Sequence, residues 1–153
     1  MIKAKPLLIN LLIPLLVGGL AAWLTKDYMD IYSALNQPPL SPPGWVFPAV
    51  WTVLYLMMGI AAYLVWMRDS TGRGNALFLY GLQLAFNFSW SLIFFRWGNY
   101  PLALFWLAML WILILLTTAS FFKERAAAGW LMLPYLLWAA FAGYLNGGVV
   151  ILN

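Results

Sequence analysis

Apolar side chains fill five long runs of this chain, and the charged residues are confined to the ends and the short intervals between them. The runs cover about residues 7–25, 46–67, 75–95, 101–122 and 127–147, with no Asp, Glu, Lys or Arg inside any of them. At 1.5 Å of rise per residue, about 20 such residues cross the hydrocarbon core of a bilayer as a helix. The breaks carry Lys26, Asp27 and Asp30, then Arg68, Asp69 and Arg73, then Arg96, and finally Lys123, Glu124 and Arg125. This pattern predicts an all-α integral membrane protein, a bundle of five transmembrane helices forming a single domain over 1–153. Pro101 falls near the start of the fourth helix, where its missing donor costs little. Pro14, Pro48 and Pro134 lie inside or near helix ends and predict kinks or local openings.

Within the runs, residues three, four, seven and eight apart share a helix face. Phe47, Trp51, Tyr55 and Met58 line up on the second helix. Tyr80, Gln83, Asn87, Trp90, Ser91 and Phe94 do so on the third, and Tyr135, Trp138, Ala142 and Asn146 on the fifth. An amide facing lipid would lack hydrogen-bond partners at a cost of several kcal/mol, so Gln83 and Asn87 are expected to look inward. The plainer account is that these groups tie helices together, as Asn and Gln do in membranes, while Trp and Tyr gather at the lipid–water interface. Ten tryptophans exceed what two interfacial belts need, and Trp51, Trp90, Trp106, Trp111 and Trp138 lie well inside the runs. An aromatic cavity for a flat apolar ligand is the alternative. Gly81 with Ala85, and Gly18 with Ala22, are small-residue pairs that let two backbones approach, within the bundle or in a homodimer.

Composition supports the membrane reading. The chain is 65% hydrophobic and 8% charged, with a mean hydropathy of +0.88, against about 25% charged residues in a soluble domain. The net charge of +4 is spread over loops and marks topology, not nucleic-acid binding. Lys3, Lys5, Arg68, Arg73, Lys123 and Arg125 fall on one side, and Lys26 and Arg96 on the other. That asymmetry predicts a cytoplasmic N-terminus and an outer C-terminus. The first apolar run, about 18 residues, exceeds the 7–15 of a signal-peptide core, so it is expected to be a retained helix. Histidine and cysteine are absent, which removes disulfides, thiol nucleophiles, the usual zinc sites and the usual general base. No catalytic or metal-ligating residue is assigned.

The connection after the first helix stands apart. It reads Gln37-Pro38-Pro39-Leu40-Ser41-Pro42-Pro43-Gly44-Trp45. Proline fixes φ and restricts the residue before it, so this stretch forms neither helix nor sheet. The segment 26–45, with Pro38, Pro42, Pro43 and Trp45, is therefore expected to be a rigid lid over a pocket.

These residues, in order, resemble the TspO/MBR family, the tryptophan-rich sensory and translocator proteins also known as peripheral benzodiazepine receptors. The blocks that carry the resemblance are Tyr32–Pro38, Pro42–Phe47, Val50–Tyr55 with Met58-Gly59, Gly81–Trp90, Ile93–Phe95 and Leu133–Ala142. The resemblance implies a five-helix bundle, commonly a homodimer, with a pocket closed by the first loop. It implies binding of porphyrins such as protoporphyrin IX and haem-type ligands, with no required cofactor. Trp51, Asn87, Trp138 and Ala142 match pocket positions of the family, and Tyr55, Gln83, Trp90 and Tyr135 join them from the inward stripes. A bacterial cell membrane is the expected location.

Departures from the family pattern are visible. Ile31 and Leu40 stand where members often carry Trp, the fourth helix around Met109 lacks an acidic residue, and no Lys or Arg follows Tyr144. The last departure speaks against sterol translocation. The leading expectation is a membrane-embedded porphyrin binder acting as a sensor or in ligand trafficking. A second is light- and oxygen-dependent porphyrin breakdown with Trp51 and Trp138 as the reacting groups. A coupled transporter is disfavoured, because such pathways use intramembrane charges and the runs contain none.

Overall fold

A computed structural model describes residues 1–153, and all its regular elements are helical. Helix α1 spans Ala4–Thr25 and passes through a 3₁₀ turn, Lys26–Tyr28, into the short α2, Met29–Ala34. After the proline loop come α3, Val46–Trp66, and α4, Arg73–Ser91, whose end widens into a π-helical turn at Leu92–Arg96. Helices α5, Tyr100–Glu124, and α6, Ala126–Leu152, complete the chain. Five segments are long and apolar enough to cross a membrane: Ala4–Ala34, Val46–Trp66, Arg73–Arg96, Tyr100–Glu124 and Ala126–Leu152.

Two boundaries differ from the sequence expectation. Residues 26–34 were expected to belong to the loop, yet they continue the helical path, so the irregular stretch is only 35–45. Nothing between Lys26 and Ala34 breaks a helix, and the short turn buries Tyr32. The break comes at Leu35 (φ −73°, ψ 151°), three residues ahead of Pro38. The last helix was expected to stop near 147 but runs to Leu152. Gly147 and Gly148 weaken helix propensity only modestly, and Asn153 closes the helix by donating to the Val149 carbonyl at 2.9 Å.

Spatial order departs from chain order. Helix α1 lies against α3, α3 against α6, α6 against α5, and α5 against α4, which returns to α1. Pro14 cannot donate to the Asn10 carbonyl as a helix residue normally would. Gly59 of α3 packs on that freed oxygen, where a Cβ would come within 2.8 Å. The α1–α3 contact is thus tight because a proline and a glycine meet. Caps are local: Asn99 Oδ1 accepts from the Leu102 amide at 3.2 Å and starts α5. The outward faces carry large apolar groups such as Leu16, Phe78, Phe105 and Leu137, as a lipid-facing surface requires.

Candidate functional site

The ring of helices leaves a cavity of about 350 Å³ between α1, α3, the end of α4 and α6, within the range of about 300–1,000 Å³ usual for small-molecule sites. One wall is built from the small side chains of α1, Gly18, Ala21 and Ala22. Facing it, α3 supplies Phe47, Trp51 and Tyr55, and α6 supplies Trp138, Ala142 and Asn146. Trp90 and Ser91 of α4, with Phe94 and Phe95 of the π turn, close the third side. Lys26, Met29 and Tyr32 edge the cavity where α1 ends. The tryptophans of α3 and α6 therefore line one void. Gly18 is required for its shape, because any Cβ there would run into the Tyr55 ring.

Behind this lining lies a chain of buried hydrogen bonds. Tyr55 donates its hydroxyl to Asn87 Oδ1 at 3.0 Å, and Asn87 Nδ2 donates to the Tyr135 hydroxyl at 2.7 Å. Tyr135 in turn donates to Gln83 Oε1 at 2.7 Å, and Gln83 Nε2 points at the Met58 sulfur at 4.0 Å. Both amides look inward, as their cost in lipid demanded. Gln83, Asn87 and Tyr135 do not themselves line the cavity; they hold its floor. Trp51 stacks on Tyr55 with centroids 5.6 Å apart and an interplanar angle of 26°, so the network orients that indole indirectly. A second tie runs from Trp90 Nε1 to Asn146 Oδ1 at 3.1 Å, and from Asn146 Nδ2 to the Tyr100 carbonyl at 3.1 Å. The Trp138 indole packs edge-on to Phe47 at 6.1 Å, and its Nε1 is buried without a partner.

The proline loop reaches the cavity only through Gly44. Pro38, Pro42, Pro43 and Trp45 are not among the lining residues, and Trp45 is 73% exposed. The loop is instead fastened to the last helix. The Pro38 ring seats on Gly148, which has no room for a Cβ. Tyr144 donates its hydroxyl to the Pro39 carbonyl at 2.6 Å. Asn36 and Asn153 pair reciprocally, with Asn36 N donating to Asn153 Oδ1 at 3.1 Å and Asn153 Nδ2 to Asn36 O at 2.8 Å. Pro38–Ser41 form a turn closed by the Ser41 amide on Pro38 O at 3.3 Å. Leu40, at the third position of the turn, takes the left-handed φ of +70° that a type II turn demands.

A second recess, between α5 and α6, is lined by apolar groups such as Leu104, Phe105, Ala108 and Ile112. Its Trp111 indole already donates to the Leu136 carbonyl at 3.2 Å, which satisfies that ring's one polar group.

The profile of the TspO/MBR family matches residues 10–152. The chain belongs to that family. It is 39% identical over 126 residues to the tryptophan-rich protein TspO of Chlorobaculum tepidum, covering 80% of this chain and 78% of the relative. It is 41% identical over 122 residues to the tryptophan-rich sensory protein of Cereibacter sphaeroides, covering 80% and 76%. It is 34% identical over 139 residues to the translocator protein of Bos taurus, covering 88% and 82%. As a TspO/MBR member the chain is a multi-pass integral membrane protein. The contribution of α1 to the site was missed at the sequence level. Its signal was present, since the Gly18–Ala22 pair was legible, but that pair reads equally as a helix contact and as space for a guest.

Proposed function

We propose that this protein is a membrane-embedded binder of porphyrins and related planar tetrapyrroles, acting as a sensor or in ligand trafficking. One observation carries the reading: the Trp51 and Trp138 indoles, from two different crossings, line a single apolar cavity. A flat aromatic guest stacks on these indoles at roughly 0.5–1.5 kcal/mol per pair beyond area burial. Without histidine or cysteine, a haem-type ligand is held by stacking and packing. Titration of protoporphyrin IX into the detergent-solubilised protein, followed by tryptophan fluorescence, tests this. Trp51→Phe combined with Trp138→Phe is expected to weaken binding and reduce quenching. Unchanged affinity and quenching in that double variant would refute the assignment.

The same two indoles support a second reading, light- and oxygen-dependent porphyrin breakdown, since oxidisable rings would flank a bound sensitiser. Absorbance followed in the dark and under illumination separates the readings. Bleaching that needs light and disappears with both indoles favours breakdown, and stable absorbance favours binding alone.

The location that goes with this function is a bacterial cell membrane, with the N-terminus in the cytoplasm as the basic residues suggest. A homodimer is part of the proposal. Gly81 and Ala85 face outward on α4, with nothing within 4 Å of an added Cβ at Gly81.

A further inference from the structure

Lys26 is the one charged residue in the cavity lining. It begins the 3₁₀ turn immediately after α1, where the apolar segment ends. Its ammonium sits 5.9 Å from the centre of the Trp23 ring, a contact worth little at an exposed site. Asp27 is its chain neighbour and Asp30 follows on α2. The other cation at this end, Arg96, is placed over Tyr28 at 5.9 Å. The cavity's neutral polar groups are largely engaged with one another. Thr25 Oγ1 donates to the Ala21 carbonyl at 2.8 Å, Ser91 Oγ to the Asn87 carbonyl at 3.4 Å, and both ends of the Asn146 amide are bonded. An apolar chamber with a cation at its wet edge suits a molecule of matching polarity, a flat apolar body ending in an anion. Lys26 is exposed at that edge, free to turn its ammonium from Trp23 to a guest's anion, and a charge-assisted N–H···O bond is among the stronger ones available.

We propose that Lys26 anchors a carboxylate on the rim of the guest, so that the cavity selects planar carboxylic acids over their neutral esters. This rests on the porphyrin-binding reading and names the part of the ligand that the edge of the site recognises. A cation at a helix C-terminus also serves the helix dipole. That role is indifferent to the ligand's charge, so comparing acid with ester separates the two.

The experiment uses the full chain in nanodiscs of zwitterionic lipid, titrated with protoporphyrin IX and with its dimethyl ester. The wild-type protein is expected to bind the acid about tenfold more tightly than the ester, the scale of one charge-assisted hydrogen bond. K26M is expected to erase that preference by weakening the acid far more than the ester, and K26R to restore most of it. Equal affinity of the wild type for acid and ester would overturn the role of Lys26 and leave the binding reading standing. So would a K26M variant that keeps its preference for the acid, or one that weakens both ligands alike. A wild type that binds neither molecule would refute the binding reading itself, and the anchor with it.

Discussion

Asn87 occupies a position where a single amide satisfies two phenols from two other helices. Its carbonyl accepts from Tyr55 and its amino group donates to Tyr135, all three being buried. Replacing it with Leu keeps the volume approximately but leaves the Tyr55 hydroxyl without an acceptor in a place water does not reach. The expected loss is about 1–3 kcal/mol for an orphaned buried hydroxyl, read as a lowered midpoint of thermal or detergent unfolding. Porphyrin affinity should fall as well, because the Tyr55 ring on which Trp51 stacks loses its anchor. Ser89 is the contrasting residue: its hydroxyl only returns to the Ala85 carbonyl one turn earlier, so Ser89→Ala should leave both measurements in place. An Asn87→Leu midpoint matching the wild type would show that the chain of bonds is incidental. The inward direction of Asn87 was legible in the sequence, since an amide in a lipid span has nowhere else to go. Its partners were not, because one-dimensional spacing cannot say which phenol from another helix arrives at which oxygen.

At the scale of elements, the proline loop behaves as a strap bound to α6. Gly148 takes the Pro38 ring, and the adjacent Gly147 faces open space. Alanine at a helical glycine normally adds about 1 kcal/mol of helix stability. Gly147→Ala should therefore stabilise α6 and leave the loop untouched. Gly148→Ala should lift Pro38 and increase protease cleavage within 35–45. Equal behaviour of the two variants in limited proteolysis would discount the strap. The rigidity of this loop was foreseeable from its prolines alone. Its attachment was not: the Tyr144–Pro39 bond joins residues 105 apart, and the Asn36–Asn153 pair residues 117 apart. The helical path through 26–34 escaped the sequence reading for a related reason. Charged residues at the end of an apolar run signal the end of the hydrocarbon, not the end of the helix.

For the whole molecule, the decisive partner is the bilayer. Large apolar groups cover the outer faces as well as the core, where a soluble domain would place charged and polar ones. The proposed orientation puts α2 and the proline loop outside, and the turn between α3 and α4 in the cytoplasm. The chain contains no cysteine, so one introduced thiol reports without background. Ser33→Cys should react with a membrane-impermeant maleimide on intact cells, and Asp69→Cys only after permeabilisation. The reverse pattern would invert the topology and place the Lys26 edge of the cavity in the cytoplasm.

The number of crossings, and which face of α3, α4 and α6 turns inward, could be read from the order of residues alone. Both follow from local rules, the length of an apolar run and the helical period, applied in a solvent that cannot satisfy a stray amide. What lines the cavity depended on how the helices pack. The ring order α1–α3–α6–α5–α4 sets the small side chains of α1 opposite the two indoles, brings Lys26 to the cavity edge and fastens Pro38 and Pro39 to the last helix. These relations join segments far apart in the chain, where the energy of packing and not the pattern of any one helix selects the neighbour.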